Sequence, residues 1–146
     1  DCVQRGLVGE VIRRLEQKGL QIAGLKMRQF PRSLVEKHYE VHKERPFYGN
    51  LVKFMTAGPV VALAIEGKDA VEVVRNLIGK TNSRQAAPGT IRGDLGMSFS
   101  NNLVHGSDSL ESAQKELALF FGESGDLIAW TPVAQSWTYN VEEELR

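Results

Sequence analysis

The sequence predicts an α/β (α+β) sandwich in which helices pack against one sheet. Two observations carry this. Segments with apolar residues every three or four positions alternate with short runs patterned as strands, the arrangement that layers helices on a sheet. Glycine, proline and capping residues also punctuate the chain where one pattern gives way to the next. With 146 residues and 42% hydrophobic content, the chain is long enough for one domain with its own core, taken as residues 1–146.

The elements follow in order. Val8, Val11, Ile12 and Leu15 form an apolar stripe separated by charged residues, and Gly19 ends this first helix after a basic turn. Residues 20–27 (LQIAGLKM) alternate as a half-buried strand does. Pro31 and Ser33 start a helical stretch reaching about His42, and another runs from Pro46 through Phe54 until Gly58-Pro59 breaks it. The apolar run VVALAI at 60–65 suits a strand covered on both faces. Asp69 is placed as the N-cap of a helix carrying Val71, Val74, Leu77 and Ile78, closed by Gly79. Residues 80–99 show no period and read as a long functional loop. Leu103-Val104 resembles the end of a short strand. Asp108 and Glu111 look like a capping pair for a helix whose stripe is Leu110, Ala113, Leu117 and Phe120. The tail contains Trp130, Trp137 and Tyr139, which are expected to pack on the body, while residues 140–146 are expected to be loose.

Composition narrows the function. Eighteen basic and 18 acidic side chains cancel, which argues against a broad nucleic-acid or membrane surface. No apolar run reaches the ~18–20 residues of a membrane span, and no signal peptide is visible. Cys2 is the only cysteine, so no internal disulfide can form, and this fits a reducing compartment. A cytoplasmic chain with neither a membrane nor a specific nucleic-acid partner is the expectation.

The candidate chemistry centres on NNLVHGSDS at 101–109. A lone histidine is most often a surface or structural residue. His105, however, is followed by a glycine that permits close approach and by Ser107-Asp108 at a helix start, where free N–H groups attract anions. Glu116, about two turns into that helix, is placed to orient the ring, which would make His105 a nucleophile for phosphoryl groups. Arg75, Thr81, Arg92 and Asn102 flank the long loop and offer forked and neutral donors to phosphate oxygens, although a solvated loop with ordinary arginines fits the same spacing. Tyr39 and Phe47 bracket Arg45-Pro46; such aromatics are usually core residues, and an exposed one can stack on a base. Lys26, Arg28 and Lys53 read as plain surface charges. There is no GxxxxGK[ST] loop, no GxGxxG and no Cys/His cluster, so no protein-held metal is expected.

NNLVHGSDSLESAQKELALFF resembles the signature of the nucleoside diphosphate kinase family. RPFYGNLVKFMTAGPVVALAIEG, RNLIGKTN and APGTIRGDLG extend the resemblance in family order, from Asp1 to about Tyr139. The resemblance implies a ferredoxin-like fold with an antiparallel sheet. It implies transfer of the γ-phosphate of a nucleoside triphosphate to a nucleoside diphosphate, in two steps through a phosphohistidine. By position, His105 would be phosphorylated, Glu116 and Ser107 would hold and polarise it, and Tyr39 would lie close by. Arg75, Thr81, Arg92 and Asn102 would contact phosphates and ribose. Phe47 would stack on the base, with Leu51 and Phe99 lining the slot. Mg2+ would come with the nucleotide phosphates, and the assembly would be a homohexamer or a homotetramer.

Three departures accompany the resemblance. The family has a strand ending in Lys-Pro before the position of Asp1, so that strand and its phosphate-contacting lysine are expected upstream of this sequence. Without them, a non-catalytic or weakly active nucleotide-binding or assembly member of the family stays open. Cys2 stands where a small residue is usual, and Ser83 where many members have proline.

Overall fold

The computed structural model describes residues 1–46 and 48–144. Helix α1 (Val8–Gln17) turns Val11 and Leu15 inward, while Glu10 pairs with Arg13 and Arg14 outside. Gly19 then turns the chain with a φ of 96°, a left-handed value that suits glycine. Strand β1 (Gln21–Arg28) pairs antiparallel with β2 (Val60–Glu66), from Gln21 opposite Glu66 to Arg28 opposite Val60, with an irregularity between Ile22 and Gly24. Between the strands lie α2 (Arg32–His38), a 3-10 turn at Glu40–His42 and α3 (Tyr48–Thr56). After β2 come α4 (Ala70–Ile78), a 3-10 turn at Ser83–Gln85, α5 (Ile91–Leu95), α6 (Leu110–Phe120), α7 (Gln135–Thr138) and α8 (Val141–Glu144). The result is an α/β fold with helices packed on a small antiparallel sheet. No helix among the described residues is long and apolar enough to cross a membrane.

Two apolar clusters hold the layers together. The first joins Val11, Leu15, Leu20, Ile78, Ile91 and Leu103, with Val74 and Leu77 packed alongside. The second joins Phe30, Val35, Tyr39 and Val52, with Leu51 and Phe120 against them. Phe120 meets the Phe30 ring at 4.9 Å, which ties the end of α6 to the α2–α3 side. Gly24 admits the segment after α6: a Cβ there would lie 2.8 Å from the Asp126 carbonyl, and Ile128 donates its N–H to the Ala23 carbonyl at 2.8 Å.

Several expectations are corrected. β2 is half-buried apart from buried Ala64 and exposed Glu66, because β1 is its one paired neighbour among the described residues. Asp69 occupies the N-cap position of α4 with a left-handed φ of 52°, and its side chain makes no capping bond. The stretch at 80–99 is not featureless, since it holds the Ser83–Gln85 turn and α5, which is capped by Thr90 accepting from the Gly93 N–H. Leu103-Val104 is not a strand: Leu103 has a φ of 73° and points into the first core. The α6 stripe covers less than its period suggests, with Leu110 exposed and no residue of the helix fully buried. Lys26 is not a plain surface charge, because it meets Asp126 at 2.5 Å with both side chains largely shielded. In the tail, Trp130 donates to the Ile22 carbonyl at 3.0 Å and the Tyr139 hydroxyl accepts from the Lys68 N–H at 3.4 Å. Trp137 stays 92% exposed, on a helix of four residues none of which is buried. Of the tail expected to be loose, 141–144 form α8, and the last two residues lie outside the described ones.

Ile91 is fully buried in the first core. Replacing it with alanine should destabilise the fold by about 2–5 kcal/mol. A denaturant midpoint unchanged in Ile91→Ala would show that this core does not hold α5.

Candidate active site

The site begins with the delivery of His105. Residues 102–104 reach it through the left-handed Leu103, whose N–H is accepted by the Asp1 carboxylate at 3.0 Å. Arg92 holds the same turn. Its Nε donates to the Asn102 carbonyl at 3.1 Å, Nη2 to the Val104 carbonyl at 2.6 Å, and Nη1 to the Gly79 carbonyl at 3.1 Å. One guanidinium thus ties the end of α4 to both sides of Leu103. Burial lowers the Arg92 pKa, and the neighbouring Arg75 charge adds to that. Three of its five N–H groups are engaged with the backbone, leaving two for a ligand.

Gly106 follows the imidazole for a packing reason. A Cβ at this position would lie 2.8 Å from Ile78 Cδ1, so the chain is pressed against α4 here. The His105 ring then projects outward, 52% exposed, with Nε2 at 3.2 Å from Glu116 Oε1. The Ser107 hydroxyl donates to the other oxygen, Glu116 Oε2. Burial pushes the Glu116 carboxyl up, but the hydrogen bonds from His105 and Ser107 and the charges of His105 and His38 outweigh it and hold the group below its ordinary value. Tyr39 is buried, its ring centre 6.5 Å from that of His105. Burial first, then the Glu116 charge, raise its pKa to about 12.

The expected donors gather unevenly. Asn102 Nδ2 donates to the Thr81 carbonyl at 3.2 Å and to the Phe99 carbonyl at 3.1 Å, so Thr81, Phe99 and Asn102 share one loop cluster. The Phe99 ring is exposed. Arg75 is exposed, and its charge is felt at both Arg92 and Asp108. Leu51 sits apart from this cluster, on α3 against the second core. Phe47 lies outside the described residues.

The helix start differs from expectation. Ser109, not Asp108, caps α6 by accepting from the Ser112 N–H at 3.1 Å. The Asp108 carboxyl is held below its ordinary value mainly by hydrogen bonds from Ser112 and Ser109. The anion at this helix end is therefore the protein's own carboxylate.

Sequence reasoning missed His38. Its side chain is 7% exposed at the end of α2, and its Nε2 lies 3.9 Å from Glu116 Oε1. Its ring is edge-on to Tyr39 at 4.4 Å, Phe120 at 5.1 Å and His105 at 5.6 Å. Burial lowers its pKa, against the pull of Glu116. The one hint in the sequence was its position directly before Tyr39.

The shifts fix two signs. Glu116 is depressed, so its contribution to stability is present above its unfolded value of 4.5 and lost as pH falls through the folded value. Tyr39 is raised from 10.0 to about 12, so its neutral form contributes below 10.0 and that contribution is lost as pH climbs between the two. Ultraviolet titration should show one tyrosine ionising only near pH 12, a step absent from Tyr39→Phe. If the substitution leaves the late step in place, Tyr39 is not the shielded phenol.

Comparison with known proteins gives the same family throughout. The family model for nucleoside diphosphate kinase matches residues 1–125. A nucleoside diphosphate kinase of Synechococcus sp. (strain JA-3-3Ab) is 57% identical over 139 residues, covering 95% of this chain and 93% of that protein. One of Archaeoglobus fulgidus is 52% identical, covering 95% and 91%. Among solved structures, the halophilic nucleoside diphosphate kinase of Halobacterium salinarum in complex with CDP has a TM-score of 0.90. It shows 45% identity over 94% of this chain and 91% of that one. The Encephalitozoon cuniculi enzyme also reaches 0.90, at 40% identity, over 95% and 93%. With identity at this level along nearly the whole length, and His105 set 3.2 Å from Glu116, the chain belongs to the nucleoside diphosphate kinase family of phosphotransferases.

Proposed function

We propose that the chain moves the γ-phosphate of a nucleoside triphosphate to a nucleoside diphosphate by a ping-pong route through a phosphohistidine at His105. The observation that carries this is the contact of His105 Nε2 with Glu116 Oε1 at 3.2 Å. An ionised carboxylate only accepts, so Nε2 carries the proton and Nδ1 keeps its lone pair. Nδ1 is the nucleophile. It bonds to the γ-phosphorus as the bond from that phosphorus to the bridging oxygen breaks, and the diphosphate leaves with the electron pair. The ring becomes cationic, and Glu116, braced by Ser107, balances the charge. In the second half a terminal oxygen of the acceptor diphosphate attacks the same phosphorus, the N–P bond breaks, and neutral His105 returns.

The remaining residues position and neutralise, which is most of what phosphoryl transfer asks of a protein. Arg75 and the two free N–H groups of Arg92 serve the phosphates. Thr81 and Asn102 serve phosphate and ribose, and Tyr39 confines the imidazole. Phe47 stacks on the base, with Leu51 and Phe99 lining the slot. The bound CDP of the Halobacterium salinarum enzyme supports a nucleoside diphosphate as ligand. Mg2+ prefers oxygen ligands, whereas the one triad of His, Cys, Asp or Glu side chains placed to hold an ion among the described residues has two nitrogens. It would instead be held by the nucleotide phosphates, and there it would offset their charge. The chain acts in the cytoplasm as a single domain assembled into a homohexamer or a homotetramer.

Incubation with γ-labelled ATP and Mg2+ should give acid-labile, base-stable label that vanishes in His105→Ala. Label surviving that substitution, or none in the unaltered protein, would falsify the mechanism. Glu116→Gln should slow labelling roughly 10²-fold. Because stacking reads no base edge, purine and pyrimidine diphosphates should turn over comparably. A strong preference for one base in steady-state assays would rule out a stacking-only slot.

A further inference from the structure

His38 has no part in the phosphoryl transfer above, yet it is packed against its centre. Tyr39, Phe120 and His105 surround its ring, and its Nε2 faces the same Glu116 oxygen that His105 contacts. His38, His105 and Glu116 each place one donor atom so that all three lie within 4.8 Å of one another. We propose that these three side chains bind a Zn2+-class ion and that its occupancy reversibly silences His105.

The donor set selects the ion. Two imidazole nitrogens and one carboxylate oxygen suit zinc and its first-row neighbours and do not suit Mg2+ or Ca2+. Zinc bonds of about 2.0–2.1 Å to nitrogen and oxygen put neighbouring tetrahedral donors ~3.3 Å apart. The His105–Glu116 pair already stands at 3.2 Å and the His38–Glu116 pair at 3.9 Å. Closing the site therefore asks for side-chain shifts of about 1.5 Å at most, because all three donors already lie within 4.8 Å of one another. Ser107 engages Oε2 and leaves Oε1 to turn to the ion, the kind of outer support that orients metal ligands. His105 is half exposed, so a water can fill the fourth position.

Silencing rests on the reading of His105 as nucleophile and follows from proton placement. For Nε2 to bind the ion, its proton must leave. A neutral imidazole metallated at Nε2 carries its hydrogen on Nδ1, and the lone pair that would attack phosphorus is then absent. The site acts without nucleotide and competes with phosphorylation through one ring.

The test uses the full chain without nucleotide, with Co2+ as the spectroscopic probe and Zn2+ measured by competition with a chromogenic chelator. The expected result is one ion per chain, visible cobalt bands of four-coordinate type, and their loss on adding Zn2+. His38→Gln and Glu116→Gln should each weaken Zn2+ binding at least tenfold. His105→Ala should do the same without disturbing the core, since its ring is exposed, and thermal melts report the folding of all three. Cys2→Ser should leave affinity unchanged. Absence of binding, equal affinity in the three variants, or loss of binding in Cys2→Ser overturns the site. In excess Mg2+, Zn2+ should slow labelling by γ-labelled ATP at least tenfold, reversed by a zinc-selective chelator. Stoichiometric binding with unslowed labelling overturns the silencing alone. Failure to label without Zn2+ counts against the kinase mechanism and leaves the binding result standing.

Discussion

The Arg92 guanidinium is the interaction on which the site depends. Its three hydrogen bonds reach Gly79, Asn102 and Val104, which are separated along the chain and adjacent in space. Without a donor at that point, the Gly79 and Val104 carbonyls would lose their side-chain partner in a half-buried place, where orphaned polar groups are expensive, and the Asn102 carbonyl would keep only the Val104 N–H at 2.9 Å. Arg92 also follows directly on Ile91, which is fully buried. The core thus fixes the backbone of α5, α5 aims the guanidinium, and the guanidinium shapes the turn that presents His105.

That turn carries local cost. A leucine with positive φ is uncommon, and residues held this way store ~1–3 kcal/mol. Leu103 is kept there by burial of its side chain, by the Asp1 carboxylate on its N–H and by Arg92 on either side. Glu116 has a comparable organising role one layer out. A single carboxylate receives Ser107 and His105 and faces His38, and its charge raises the pKa of Tyr39 and works against the effect of burial on His38.

How much of this was legible in the chain depends on the distance over which each cause acts. α1 and α4 were readable because periodicity and a closing glycine are local signals. The histidine with its carboxylate was readable because both lie within one loop-and-helix unit. The false strand at 103–104 arose because two apolar residues look alike whether they extend or turn inward, and only Arg92 and Asp1 decide between these. Lys26 looked solvated because Asp126 is far along the chain. His38 was hidden because its neighbours come from α2, α6 and the His105 loop at once. The α6 cap was misplaced by one residue, a slip between neighbouring side chains that both suit caps.

Gly106 looked at first like an accommodation for a visiting group. The space it leaves is taken by Ile78 Cδ1 at 2.8 Å, with Val74 Cγ1 next at 3.6 Å. Positions 78 and 106 therefore share one volume, and bulk at either is bulk withheld from the other. The glycine beside the histidine thus answers in part to helix α4, whose Ile78 side chain reaches into the space that a Cβ would take.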